Sequence, residues 1–170
     1  MKLKFSLLML AAVAMLGLTA CGDDDDSKDL TLGEVPTVVK TAFDIDYPTV
    51  KNVKWERKMS YYVADFVYAG YDTDAWYAPN GNLEMTETDY DKDYTLLPPA
   101  VVVSFVASDY SVDKVEDVTY YTRPAGNFSE IEVKSGRSDV TLFYNDAGLL
   151  LNEVKGDFPD IYPGTVVENL

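Results

Sequence analysis

Histidine is absent from the chain and cysteine occurs once, at Cys21. Without histidine no Ser-His-Asp or Cys-His catalytic arrangement can be assembled, and zinc or iron sites that rely on imidazole are excluded. A single thiol closes no disulfide within the chain, so a protein outside the cytoplasm has to stand on its hydrophobic core. Basic side chains are scarce too: 14 Lys and Arg face 29 Asp and Glu, a formal charge of −15. Such a field excludes nucleic acid as a partner, because phosphates are held by Lys and Arg clusters, and it favours cationic partners and solubility. Nor is there an apolar run long enough to span a membrane. The run from Phe5 to Leu18 is 14 residues long, against the roughly 20 apolar residues that a bilayer needs.

Carboxylates alone remain for chemistry. A Glu or Asp pair can serve glycoside hydrolysis, but among 29 acids some pairs fall at suitable separations by chance. No residue therefore has a catalytic role, and the chain reads as a non-enzyme without a cofactor. Asp89-Tyr90-Asp91-Lys92-Asp93 has the alternating acids of a calcium loop, but Tyr94 stands where the sharp turn needs Gly and Ala100 where the bidentate Glu belongs. No metal is assigned.

What the chain does have begins with a leader. Lys2 and Lys4 precede the apolar run, which ends in Leu18-Thr19-Ala20-Cys21. A basic start, a short apolar stretch and small residues before a cleavage point mark a secretory leader, and a Cys directly after it supplies the thiol that lipoprotein processing acylates. Residues 1–20 are thus expected to be a lipoprotein signal peptide and Cys21 the lipidated residue, with acyl chains anchoring the protein to a membrane. Residues 21–33, with Asp23 to Asp26 in a row, read as a self-repelling acidic tether. An acidic run so near a lipidated Cys resembles the export signal of some outer-membrane lipoproteins. The expected location is therefore the outer membrane, surface-exposed, with a periplasm-facing orientation as the alternative.

Beyond the tether the pattern occurs twice. Val35, Val39, Phe43 and Tyr47 recur every fourth residue after Val35-Pro36, which places them on one helical stripe. Val101 and Phe105 follow Leu97-Pro98-Pro99 at the same offsets, and proline near a helix start costs no hydrogen bond. Each segment then shifts to period two, predicting strands near 53–56, 61–68, 75–77 and 83–88, and again near 118–122, 128–134, 140–144 and 149–154. Tyr77 to Gly81 and Tyr144 to Gly148 keep the same spacing. The expected fold class is α+β, a tandem repeat of a helix plus a four-stranded antiparallel sheet, with the helices packed on one sheet face. The repeats are placed at 34–94 and 95–157, followed by a tail at 158–170 for which docking on the second sheet and fraying both stay open.

The order Val35-Pro36, Val39, Phe43, Tyr47-Pro48, Val53-Lys54-Trp55-Glu56, Tyr62 to Phe66, Ala75-Trp76-Tyr77 and Gly81 resembles the PepSY-like, beta-lactamase-inhibitor-like (BLIP-like) family of secreted proteins. The second half departs from it, with Ser111 in place of Pro48 and Tyr120 in place of Trp55. The resemblance implies two helix-plus-sheet units whose sheets run together, with the helices on one side and an uncovered concave face on the other that binds or inhibits another protein.

Strand parity indicates which side chains line that face. If Tyr62, Ala64, Phe66, Ala75 and Tyr77 point at the helix, then Trp76 and its counterpart Phe143 point away, with Tyr61, Val63 and Tyr121 beside them. Large apolar side chains on an uncovered sheet mark an interface, so these five are the candidate partner-binding residues. Two functions fit: a protein-binding or inhibitor-like module using the open face, or a glycan-binding accessory lipoprotein in which Trp76 and nearby tyrosines stack on sugars.

Overall fold

The computed structural model describes residues 27–170; the leader and Cys21 lie outside the described residues. Nine strands form one sheet: β1 (Ser27–Leu30), β2 (Lys54–Lys58), β3 (Tyr61–Tyr68), β4 (Tyr71–Tyr77), β5 (Leu83–Asp89), β6 (Val115–Thr122), β7 (Phe128–Ser135), β8 (Ser138–Asn145) and β9 (Leu150–Lys155). Each strand pairs antiparallel with its neighbours in the sequence, in the order β1 to β9. Helix α1 (Thr37–Asp46) lies between β1 and β2, and α2 (Pro99–Val106) between β5 and β6.

The tandem repeat of helix plus four-stranded sheet is therefore corrected. The strands form a single antiparallel sheet, because β5 pairs directly with β6 through Thr86↔Thr122, Glu87↔Tyr121, Thr88↔Tyr120 and Asp89↔Thr119. A ninth strand comes from the segment expected as tether, where Ser27–Leu30 pairs with β2 from Ser27↔Lys58 to Leu30↔Trp55.

Local chemistry explains the elements. Pro36 and Pro98 flank the helix starts and Pro99 occupies the first turn of α2, where a missing N–H costs nothing. The buried stripe is Val39 and Phe43 on α1, and Val101 and Phe105 on α2. Phe43 meets Trp55 and Phe66 edge to face at 5.4 and 5.1 Å, and the Tyr77 hydroxyl donates to Asp46 Oδ2 at 3.0 Å, tying β4 to the end of α1. Around α2, Phe105 packs with Val118, Ile131, Val133 and Leu142. Full burial of one such side chain contributes about 1.5–3 kcal/mol, and each helix depends on this contact, being too short to persist alone.

Two hairpin turns fit under the helices only because they carry glycine. Gly81 (φ +89°) and Gly148 (φ +78°) adopt the left-handed backbone that side chains resist. A Cβ at Gly81 would meet Val38 of α1 at 3.1 Å, and one at Gly148 would sit far inside contact distance of the Ala100 carbonyl of α2. The common Tyr-to-Gly spacing thus places a turn against a helix in both halves. Register shifts at Trp76/Tyr77 and at Phe143/Tyr144 add local twist next to those turns.

Candidate functional site

The parity expected from sequence is present. Ala64, Phe66, Ala75 and Tyr77 pack with α1, while Val63, Trp76, Tyr121 and Phe143 gather in a separate cluster with Met85 and Phe128, and Tyr61 packs at its border. Val63 stands opposite Trp76, and Trp76 opposite Met85; Tyr121 stacks on Phe128 at 4.4 Å. The sheet thus brings all five predicted residues onto its helix-free face.

That face is not open where Trp76 and Phe143 lie. Val63 and Phe143 are wholly buried, and Trp76 and Tyr121 are 2% and 4% exposed, because residues 158–170 lie across them. Phe158 packs edge to face on Phe143 at 5.5 Å, Tyr162 does the same on Trp76 at 5.7 Å, and Ile161 and Val167 are buried in the same cluster. No strand pairing holds this segment to the sheet. Its polar ties include Asn152 Nδ2, which donates to the carbonyls of Val167 and Leu170 at 2.8 and 3.0 Å, and the Arg123 guanidinium, which donates to the Thr165 carbonyl. Within the segment, the Tyr162 backbone N–H donates to Thr165 Oγ1 at 2.8 Å. Ile161 and Tyr162 thus pack on the predicted residues of the one sheet, beside Trp76, and not on a separate second sheet.

Between segment and sheet lies a cavity of about 310 Å³ lined by Lys58, Trp76, Glu87, Tyr121 and Glu130 on the sheet side and by Phe158, Asp160 and Ile161 on the other. The Trp76 Nε1–H is buried without a hydrogen-bond partner. Lys58 Nζ sits over the indole at 5.3 Å and pairs with Glu56 and Asp74, both at 3.5 Å. Burial pulls the Lys58 ammonium down, but Asp74, Glu56 and Glu87 outweigh it and hold it above the ordinary lysine range. Glu87 and Glu130 are each pushed up to about 7, chiefly by burial and then by neighbouring acids. Tyr121 donates to Glu130 Oε2 at 2.9 Å. Sequence reasoning missed these ionisable groups, although Glu87 and Glu130 share the parity of Trp76 and Phe143 and were within reach of the same argument.

Among the described residues, no group of three or more acids is arranged to hold a metal, and no helix is long and apolar enough to cross a membrane. A larger groove of about 900 Å³, between residues 49–54 and 65–69, shares no residue with the cavity.

Known proteins with this architecture give it a family. The family described as "Putative beta-lactamase-inhibitor-like, PepSY-like" matches residues 60–152, more than half of the chain. A BLIP-like protein from Bacteroides fragilis, solved by crystallography, is 31% identical, with a TM-score of 0.66 over 75% of this chain and 91% of its own. A DUF2874 family protein from Bacteroides uniformis is 31% identical, with a TM-score of 0.65 over 71% and 88%. A Bacteroides eggerthii structure described among "putative periplasmic proteins" is 30% identical, with a TM-score of 0.64 over 71% and 88%. No curated protein matches the chain. Sheet, helix placement and sequence agree: the chain belongs to the PepSY-like, beta-lactamase-inhibitor-like family.

Proposed function

We propose that the chain is a non-catalytic, lipid-anchored cell-envelope module that binds another protein through the helix-free face around Trp76, Phe143, Tyr61, Val63 and Tyr121. The observation that carries this reading is what the face already holds. An irregular peptide, with no strand pairing, inserts Phe158, Ile161, Tyr162 and Val167 among those residues. A surface able to seat such a segment has the aromatic content of an interface hot spot, and the segment is the cover that a partner's loop displaces. The family's inhibitor-like description supports a protein partner, and the leader ending in Cys21 supports lipid anchoring in the envelope, facing outward from the outer membrane.

A glycan role centred on Trp76 is not favoured. Stacking needs a clear ring, and this indole meets Tyr61 at 6.1 Å, Tyr162 at 5.7 Å and the Lys58 ammonium.

The test compares capture of envelope proteins by the full chain, by a chain ending at Gly156, and by the shortened chain carrying Phe143→Asp. The account predicts a protein retained most by the shortened chain and lost with Phe143→Asp. Equal capture by all three forms would refute it.

A further inference from the structure

The helix-bearing face has a cleft of about 400 Å³ between the end of α1 and the turn that leads into α2. Its floor is Thr73 of β4, Thr86 and Thr88 of β5, and Thr122 of β6. Tyrosines wall it in two edge-to-face pairs, Tyr47 with Tyr68 at 5.2 Å and Tyr71 with Tyr90 at 5.0 Å, and Tyr120 closes the side towards α2. A quarter of the chain's residues are charged, yet no charged side chain lines this cleft.

Strand propensity accounts for Thr and Tyr on a pleated surface; it does not account for the state of the hydroxyls. Thr86 and Thr122 bond to each other, and Tyr120 is pinned, donating to Asp146 and accepting from Asn127 Nδ2 at 3.0 and 3.1 Å. The hydroxyls of Tyr68, Tyr71 and Tyr90, by contrast, make no hydrogen bond to any described residue. Tyr68 is 43% exposed. Burial, then Asp46 and Tyr68, pushes Tyr47 up to about 12, and burial, then Asp146, pushes Tyr120 to the same value, so both phenols stay neutral.

Three ligand chemistries compete for such a cleft. A charged ligand finds no counter-charge in the lining. A purely apolar one strips water from the phenol and threonine hydroxyls without replacing the bonds, which leaves buried polar groups unpaired and is unfavourable. A saccharide offers C–H faces to the rings and hydroxyls to the hydroxyls, and about 400 Å³ falls within the range of small-molecule sites. We propose that this cleft binds a neutral saccharide, on the face opposite the protein-binding surface and independently of it.

The test titrates the full chain by calorimetry with maltohexaose, cellohexaose and mannohexaose as neutral probes and hexagalacturonate as an anionic one. Expected are binding of at least one neutral probe, no binding of hexagalacturonate, and a weakening of about tenfold or more in Tyr90→Ala and in Thr88→Glu. Val103→Ala, at an exposed position of α2 outside the cleft, should bind as the parent does. Melting curves identify any variant that fails to fold, and Tyr90→Phe, which removes only a hydroxyl, then replaces it with the same expected direction. Absence of binding to all three neutral probes, comparable binding of hexagalacturonate, or cleft variants that bind like the parent would overturn the proposal.

Discussion

At the scale of single residues, the helix-free face carries its own pH dependence. Glu87 and Glu130 hold their protons up to about pH 7 in the folded chain, chiefly because burial disfavours the carboxylate, whereas the unfolded chain releases them near 4.5. Between those values the native state binds more protons than the unfolded one, so stability falls as pH rises through this window. Asp74 and Asp117 are raised by burial in the same sense. Urea unfolding should therefore give a higher midpoint at pH 5 than at pH 8, a stability difference on the order of 2 kcal/mol for each of the two groups. Gln at both positions should flatten most of that difference. A midpoint that rises with pH, or a difference that survives the double substitution, would contradict the assignment.

At the scale of elements, the turns under the helices are as consequential as the helices. Gly148 packs against the Ala100 carbonyl in a backbone that side chains rarely adopt, and strain at such a site costs about 1–3 kcal/mol before any clash is relieved. Gly148→Ala should lower the melting temperature measurably, and Gly136→Ala, which also has positive φ but nothing near its Cβ, should lower it less. Equal effects would show that contact with α2 adds nothing. Most of these elements are visible in the sequence, because spacing by four and alternation by two report directly on one buried face. What alternation cannot report is which strand lies beside which. The β5–β6 pairing spans α2 and has no turn signal of its own, so the pattern alone leaves two groups of strands, and only the family resemblance implies that their sheets run together. Strand β1 was hidden for a different reason. Ser27–Leu30 is an exposed edge in an acidic stretch, held by its ladder to β2 and by Ser27 Oγ donating to Glu56 at 3.0 Å, with almost no apolar signal.

For the whole molecule, one sheet presents two distinct sides, a helix-bearing side with a tyrosine-walled cleft and a helix-free side covered by residues 158–170. Parity at Ala75, Trp76 and Tyr77 separates the helix-bearing side of the sheet from the helix-free side, yet the cover on the latter escaped because Pro159 and Pro163 break any periodicity in it. Its apolar content, with Phe158, Ile161, Tyr162, Val166, Val167 and Leu170 within thirteen residues, was the available signal. The segment is held by the packing of Phe158, Ile161, Tyr162 and Val167 in the cluster and by hydrogen bonds from Asn152 and Arg123, with no strand pairing to the sheet. The proposed protein-binding role turns on whether the helix-free face, on which residues 158–170 pack, recognises that segment as a separate peptide. The most direct measurement is a calorimetric titration of a peptide of residues 157–170 into the chain ending at Gly156, once its melting curve shows a folded protein. The account predicts saturable binding that Trp76→Ala weakens and that the full-length chain does not show. Failure of the folded, shortened chain to bind the peptide, or equal binding by the full-length chain, would contradict it.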